Sequence, residues 1–297
     1  MSEDLQRLVR LAEETLERVQ ALLPSRHRFD WSAHDAAVWH RTSAGGELRA
    51  HSGLDGIDLS DLLHIDAQKS SIEENTRQFV RGYPANNVLL WGARGTGKSS
   101  LIHAVLNRYR SEGLRLVEVD KESLTAFAEI VDRVRGEPFR FVFVCDDLSF
   151  EADDPSYKAL KSALEGSVFR SSPNVLVYAT SNRRHLVPEY MQDNLAATHR
   201  DGELHMGEAV EEKISLSDRF GIWLSFYPFG QDDYLDVVAH WLRALGRTHS
   251  IDVTLTDEAR REALQWALAR AARNGRSAQY FARHWIGRAL LARGGYS

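Results

Sequence analysis

Cysteine is nearly absent from this 297-residue chain: Cys145 stands alone, so no intrachain disulfide braces the fold. The opening residues, Met1-Ser-Glu-Asp-Leu-Gln, place no basic segment ahead of an apolar run, which argues against a secretory signal. No window holds the roughly 18–20 apolar residues of a membrane-spanning helix. A cytoplasmic protein with no membrane span is the expectation. A strong charge of one sign is lacking as well. The 37 Lys and Arg against 42 Asp and Glu give a formal charge of −5, so the whole chain offers no electrostatic reason to expect nucleic acid. A local basic groove stays open, because net charge does not report patches. Neither an internal repeat nor a long low-complexity stretch is present.

The residues that are there are those of an ordinary globular protein, 43% hydrophobic and 27% charged. The length suffices for one large domain and one or two small ones. Leu5, Val9, Ala12, Leu16, Val19 and Leu23 fall on one stripe of a helix over 3–23, ended by Pro24. That helix either docks on its own core or serves a partner or a second copy. Residues 31–50 hold short apolar pieces around Gly45-Gly46 that suggest a hairpin. Together 1–57 read as an N-terminal extension.

From about Asp58 the pattern changes. A helical stretch over Gln68–Val80 precedes an apolar strand, 87–91, then a Gly-rich turn and a helix from Lys98 to Arg110. Further strands are expected at 114–119, 139–145, 174–179 and 222–226. Short, nearly all-apolar strands separated by helix-length segments indicate an α/β fold whose parallel sheet is covered on both faces. This α/β unit covers 58–228. From Gln231 the strands stop. Tyr234, Val237, Val238, Trp241, Leu242 and Leu245 form one helical stripe. Thr256 is placed to cap a helix ending near Arg273, and a last helix follows from about Ser277 to Ala292. Residues 229–297 thus read as a small helical domain.

Gly92-Ala-Arg-Gly-Thr-Gly-Lys98-Ser99 fits G-x-x-x-x-G-K-[ST]. Glycines let the loop curl so that successive backbone N–H groups face a polyphosphate, and they do so at a helix N-terminus, whose dipole favours anions. Residues Gly92, Ala93, Arg94, Gly95, Thr96, Gly97, Lys98, Ser99 and Ser100 form the expected phosphate cradle. Lys98 supplies mobile positive charge for the β- and γ-phosphates, and Ser99 a hydroxyl ligand for Mg²⁺. By chance the pattern arises in about one chain in a hundred of this length. Here it also lies between an apolar strand and an amphipathic helix, the context its chemistry requires. The chain has no Asn-Lys-x-Asp signature for guanine, so ATP with Mg²⁺ is the expected ligand.

The strand Phe141-Val-Phe-Val-Cys145 ends in Asp146-Asp147. An apolar strand ending in acids delivers carboxylates to the sheet edge where ligands of open α/β folds bind. Asp146 is the candidate Mg²⁺ acid and Asp147 the group that orients or deprotonates the attacking water. Asp147 is a methylene shorter than a Glu would be, so a slow switch that binds ATP with little turnover stays open beside a full ATPase. Cys145, inside that strand, reads as a small core residue. Past the next strand, Asn182 is the polar side chain placed to reach the γ-phosphate or the water. Two arginines complete the candidate catalytic set: Arg219, in Leu216-Ser-Asp-Arg-Phe220, and Arg276, in Asn274-Gly-Arg-Ser277. A guanidinium beside the γ-phosphate stabilises transition-state charge, from the same subunit or a neighbour.

In this order the motifs resemble the AAA+ superfamily of ATPases. More closely, Asn86-Asn-Val-Leu-Leu-Trp-Gly92, Cys145-Asp-Asp-Leu-Ser-Phe150, Tyr157-Lys-Ala-Leu-Lys161, Tyr178-Ala-Thr-Ser-Asn-Arg-Arg-His-Leu-Val-Pro188 and Val210-Glu-Glu-Lys-Ile-Ser-Leu-Ser-Asp-Arg-Phe-Gly221 resemble a bacterial AAA+ family known as domain of unknown function 815. The resemblance implies a five-stranded parallel sheet in the order 5-1-4-3-2 with a C-terminal helical lid and ATP between them. It implies Asn182 as sensor 1, Arg276 as sensor 2, and Arg219 as an arginine finger reaching a neighbouring subunit, with Arg183 and Arg184 as rivals. A homo-oligomer, ring or open, follows from a finger acting in trans. Adenine would lie against Leu63–Ile65. The substrate expected is an unidentified protein or nucleic acid. Protein-threading relatives carry an aromatic–hydrophobic–Gly loop after the second strand, and Asp120-Lys-Glu-Ser-Leu-Thr-Ala-Phe127 has no glycine, which disfavours threading. The polar stretch 189–212 is either a surface loop or a partner-binding insertion. His185, His199 and His205 lack metal-ligand spacing.

Overall fold

A computed structural model describes residues 28–42, 45–51, 56–150, 154–165, 172–183, 186, 198–200, 203–205 and 216–293. The helix expected over 3–23, Arg184 and most of 189–212 lie outside the described residues. Within 189–212, two short strands, β7 (Thr198–Arg200) and β8 (Glu203–His205), pair antiparallel with each other.

Seven strands form the main sheet: β1 (Ala36–Thr42), β2 (Gly45–Ala50), β3 (Val88–Gly92), β4 (Leu114–Glu118), β5 (Arg140–Cys145), β6 (Val175–Ser181) and β9 (Ile222–Phe226). Their spatial order is β2-β1-β4-β5-β6-β3-β9. All neighbours run parallel except β1 and β2, which form an antiparallel hairpin. The expected five-stranded, all-parallel sheet is therefore corrected to a mixed sheet of seven with a different full order. The difference lies at one edge. Residues Ala36–Val38 pair in parallel with Leu116–Glu118, so the hairpin extends the sheet past β4, while the five remaining strands run β9-β3-β6-β5-β4.

Strand periodicity explains why the sheet is buried on both sides. Leu89, Phe141, Phe143, Cys145, Val177 and Ala179 face one layer, against α3 (Phe127–Val134) and α4 (Pro155–Glu165). Val88, Leu90, Val142, Val144 and Tyr178 face the other, against α1 (Asp66–Val80) and α2 (Lys98–Tyr109). Alternate residues point to opposite faces, so a strand covered on both must be apolar throughout. Between Asp120 and α3 lies a 3-10 turn, Lys121–Ala126, whose first turn is capped by the Asp120 carboxylate accepting from the Ser123 amide at 2.8 Å.

Three helices follow β9: α5 (Gln231–Thr248), α6 (Asp257–Ala269) and α7 (Gly275–Arg293). They bury a separate cluster that includes Tyr234, Val238, Leu242, Ala263, Phe281 and Ile286. Thr256 caps α6 as expected, its hydroxyl accepting from the Ala259 amide. The helix stops four residues before Arg273, because Ala271 takes a left-handed conformation (φ 47°) and its amide turns back to the Leu268 carbonyl. α7 begins at Gly275, two residues earlier than its apolar pattern indicates.

The hairpin carries a close approach of its own. Trp39, 1% exposed, lies beneath Gly46, where a Cβ would sit 1.9 Å from the indole ring. The Arg133 guanidinium donates to the Gly46 carbonyl at 3.1 Å. Gly46→Ala should lower stability by roughly 1–3 kcal/mol through overpacking of a buried ring. A thermal melt checks it, and an unchanged Tm means that the ring gives way freely.

Candidate functional site

β3 delivers its last residue, Gly92, against β9. Gly92 has φ 135°, and a Cβ there would lie 1.9 Å from the Phe226 carbonyl oxygen, so only glycine fits. The chain then leaves the sheet as an irregular loop. Gly97 adopts a left-handed conformation (φ 102°) at the N-cap, and α2 starts at Lys98. Residues 93–97 are thus a loop between strand and helix and not part of a continuous helix. The Lys98 ammonium turns back into that loop. It donates to the carbonyls of Gly92 at 2.8 Å and Ala93 at 2.9 Å, and to Asn182 Oδ1 at 3.1 Å. Burial lowers its pKa; the nearby Asp146 and Asp147 carboxylates oppose that shift, and the Arg276 and Arg94 guanidinium groups add to it.

β5 ends beside this lysine. Asp146 Oδ1 accepts from the Ser99 hydroxyl at 2.6 Å and from the Thr180 hydroxyl at 2.5 Å. Asp147 follows with φ 51°, a left-handed conformation that costs a non-glycine residue on the order of 1–3 kcal/mol. Its amide donates to Thr180 Oγ1 at 2.9 Å, and the next amide, Leu148, to the Thr180 carbonyl at 2.7 Å. The Asp147 carboxylate accepts from the Asn182 side-chain amide and lies 3.5 Å from the Arg94 guanidinium.

The donor set fits Mg²⁺. A hydroxyl and a carboxylate, hard oxygen ligands, stand 2.6 Å apart at a helix N-terminus, and Mg²⁺ bound with a polyphosphate takes few protein oxygens and keeps several waters. Among the described residues no group of three or more His, Cys, Asp or Glu could hold a metal without such help.

The helical unit closes the other side. Asn274 caps α7, accepting from the Ser277 amide at 2.8 Å, while its side-chain amide donates to the Arg94 carbonyl at 2.9 Å. The Arg276 amide donates to the Gly95 carbonyl at 3.2 Å. The phosphate loop is therefore hydrogen-bonded directly to the start of α7. Between them lies a cavity of about 800 Å³, lined by Arg94–Ser100, the two aspartates, Asn182 and Arg276. That volume is in the range of small-molecule sites. Lys98, Arg94, Arg276 and Arg283 give this cavity more positive charge than Asp61, Asp146 and Asp147 remove. Apolar side chains line it as well: Leu62, Leu63, Ile65, Val237, Trp241 and Leu245. His64, between Leu63 and Ile65, turns to α5, its ring nitrogens 3.3 Å from Asp233 and Asp236 oxygens.

All of the expected cradle from Arg94 to Ser100, with Asp146, Asp147, Asn182 and Arg276, thus meets at one cavity, and Gly92 and Ala93 meet Lys98 through their carbonyls. Arg219 does not join them. Its guanidinium donates to Glu165 Oε1, from Nε at 2.8 Å and also from Nη2, at the end of α4. Arg183 is exposed, with its amide on Ser181 Oγ. Several residues escaped sequence reasoning: Thr180, Trp241, Tyr280 and Arg283, which line the cavity, and Asn274, which bonds to the loop. Asn274 carried a signal, an Asn just before a helix start. Trp241 sat in a helical stripe that spacing alone assigns to the core.

Among solved structures, the Orc1 protein of Aeropyrum pernix in complex with DNA is similar at TM-score 0.54 and 16% identity, over 78% of this chain and 61% of that one. The RuvB A156S mutant of Thermotoga maritima gives TM-score 0.50 and 15% identity, over 80% of this chain and 67% of that one. The chain spans about three fifths of the Orc1 protein's length. No curated protein sequence matches it. These likenesses, with the loop and sheet above, define the fold as that of an AAA+ P-loop protein. Residues 32–289 match the family described as protein of unknown function (DUF815), and the chain belongs to that family.

Cys145 lies one residue from Asp146, fully buried, and burial, reinforced by that carboxylate, pushes its thiol up to about 12. Thiolate is the reactive form, so the native protein should resist iodoacetamide at pH 8 and label only on unfolding. Mass spectrometry reads the outcome; rapid native labelling means that β5 opens locally.

Proposed function

We propose that the protein binds Mg-ATP in the cytoplasm and hydrolyses it to drive a conformational change on a macromolecular partner, a protein or a nucleic acid. The observation carrying this reading is that one cavity brings together three hydrogen-bonded pairs, Lys98 with Asn182, Asn182 with Asp147, and Ser99 with Asp146. In it, the loop amides and Lys98 bind the β- and γ-phosphates, exchanging the lysine's carbonyl partners for phosphate oxygens. Ser99 and Asp146 hold Mg²⁺, which supplies charge neutralisation on those oxygens. Asp147 orients and deprotonates the attacking water, with Asn182 steering its carboxylate. Arg276 stabilises charge on the γ-phosphate, and the apolar slot of Leu63, Ile65 and Trp241 takes the base. The helical unit 229–297 acts as the lid of the 58–228 unit, with 1–57 as its N-terminal extension. Among the described residues no helix is long and apolar enough to cross a membrane.

Arg219 acts in trans in this reading, which makes a homo-oligomer the active form. Its place beside Glu165, outside the cavity of its own chain, supports that role. The DNA in the Orc1 structure belongs to that protein; for this chain it makes nucleic acid one of the two partner classes to test.

A second reading, a slow nucleotide-controlled switch or scaffold, is favoured by one observation: the Asp147 carboxylate is engaged by both Asn182 and Arg94. Such a group must be released before it can act on water.

Asp147→Asn separates the two. Its ATP affinity should stay within a few-fold of the parent while steady-state turnover falls about 10²–10⁴-fold; unchanged turnover rejects Asp147 as the base. Arg219→Ala should leave ATP affinity intact and lower hydrolysis by the assembled protein by about 10³-fold. An equal loss in dilute monomer assigns the guanidinium to its own subunit's site instead.

A further inference from the structure

We infer that Thr180 is the positioning residue for both acids of this site, an inference that rests on the Mg-ATP reading above. Thr180 is 2% exposed, next to last in β6. A threonine hydroxyl has one proton and two lone pairs. Here the proton goes to Asp146 Oδ1 at 2.5 Å, and a lone pair takes the Asp147 amide at 2.9 Å. One oxygen therefore fixes the Asp146 carboxylate and the peptide that carries Asp147. The Thr180 carbonyl adds a third bond, from the Leu148 amide at 2.7 Å.

Two features make this more than a buried hydroxyl finding partners. The first is the left-handed Asp147 (φ 51°). A non-glycine residue holds that conformation only where its surroundings over-determine it, and the hydroxyl receives the amide of that very residue. The second is the fate of Ser99. It is the other donor to Asp146 Oδ1, but in the proposed reading its oxygen is itself a metal ligand. Thr180 is then the hydroxyl that keeps the Asp146 carboxylate aimed. Partners of ligating carboxylates orient them, and their loss typically costs 10–100-fold in metal affinity or activity.

Thr180 touches neither metal nor phosphate in this assignment. It acts through Asp146 and Asp147, so its removal should weaken the metal before the nucleotide. Thr180→Val keeps the shape and the carbonyl bond while deleting both hydroxyl bonds; Thr180→Ser keeps the hydroxyl. The test measures Mn²⁺ affinity of the protein–ADP complex by electron paramagnetic resonance, and ADP affinity in EDTA by fluorescent-nucleotide displacement. Thr180→Val should bind Mn²⁺ about 10–100-fold more weakly with metal-free ADP affinity within twofold of the parent, and Thr180→Ser should recover most of the loss. Parental Mn²⁺ affinity in Thr180→Val, or equal impairment of both variants, overturns the proposal. If Thr180→Val does not fold, Thr180→Ala is read in the same way. A parent protein that binds ADP without any metal dependence overturns the Mg-ATP reading and this inference together, whereas failure of Thr180→Val alone leaves that reading standing.

Discussion

Lys98 is a buried cation held by oxygens from two parts of the chain: the carbonyls of Gly92 and Ala93, and the side chain of Asn182. An ammonium out of water must be surrounded by acceptors or lose its charge. Placing those acceptors imposes much of the local architecture. The loop must curl back on its own lysine, which requires glycine at 92 and 97, and β6 must lie beside β3 so that Asn182 arrives on the same side. The parallel sheet achieves this by sending successive strand ends to one edge.

The carboxylates obey the same geometry. β5 neighbours β6, so Asp146 and Asp147 emerge next to Thr180 and Asn182, and the helix carrying Lys98 presents Ser99 to the first of them. Asn182 links cation and acid, accepting from the Lys98 ammonium and donating to the Asp147 carboxylate. Donors and acceptors from three strand ends and one helix start thus meet at one cavity.

Much of this was legible in the residues. Gly92 to Ser99 and the apolar strand ending in Asp146-Asp147 each state their chemistry locally, because spacing along the chain fixes what meets in space. What was illegible depends on long-range pairing. Nothing in Ala36–Val38 announces that it will pair with Leu116–Glu118 and widen the sheet. The Arg219–Glu165 contact joins residues far apart in sequence. Trp241 lies on a stripe that serves core and cavity alike, and no periodicity separates the two uses. The end of α6 was missed for a different reason: a left-handed Ala271 breaks a helix without glycine or proline to mark it.

The start of α7 is tied to the loop by the Asn274 and Arg276 bonds to the Arg94 and Gly95 carbonyls. α7 then runs 19 residues, to Arg293, which at 1.5 Å per residue is about 28 Å. A rod pinned at one end magnifies small rotations at the pin: a tilt of about 10° there displaces the far tip by roughly 5 Å. The Arg94 and Gly95 carbonyls thus anchor the longest helix among the described residues, so any shift of that loop would reach the far tip enlarged.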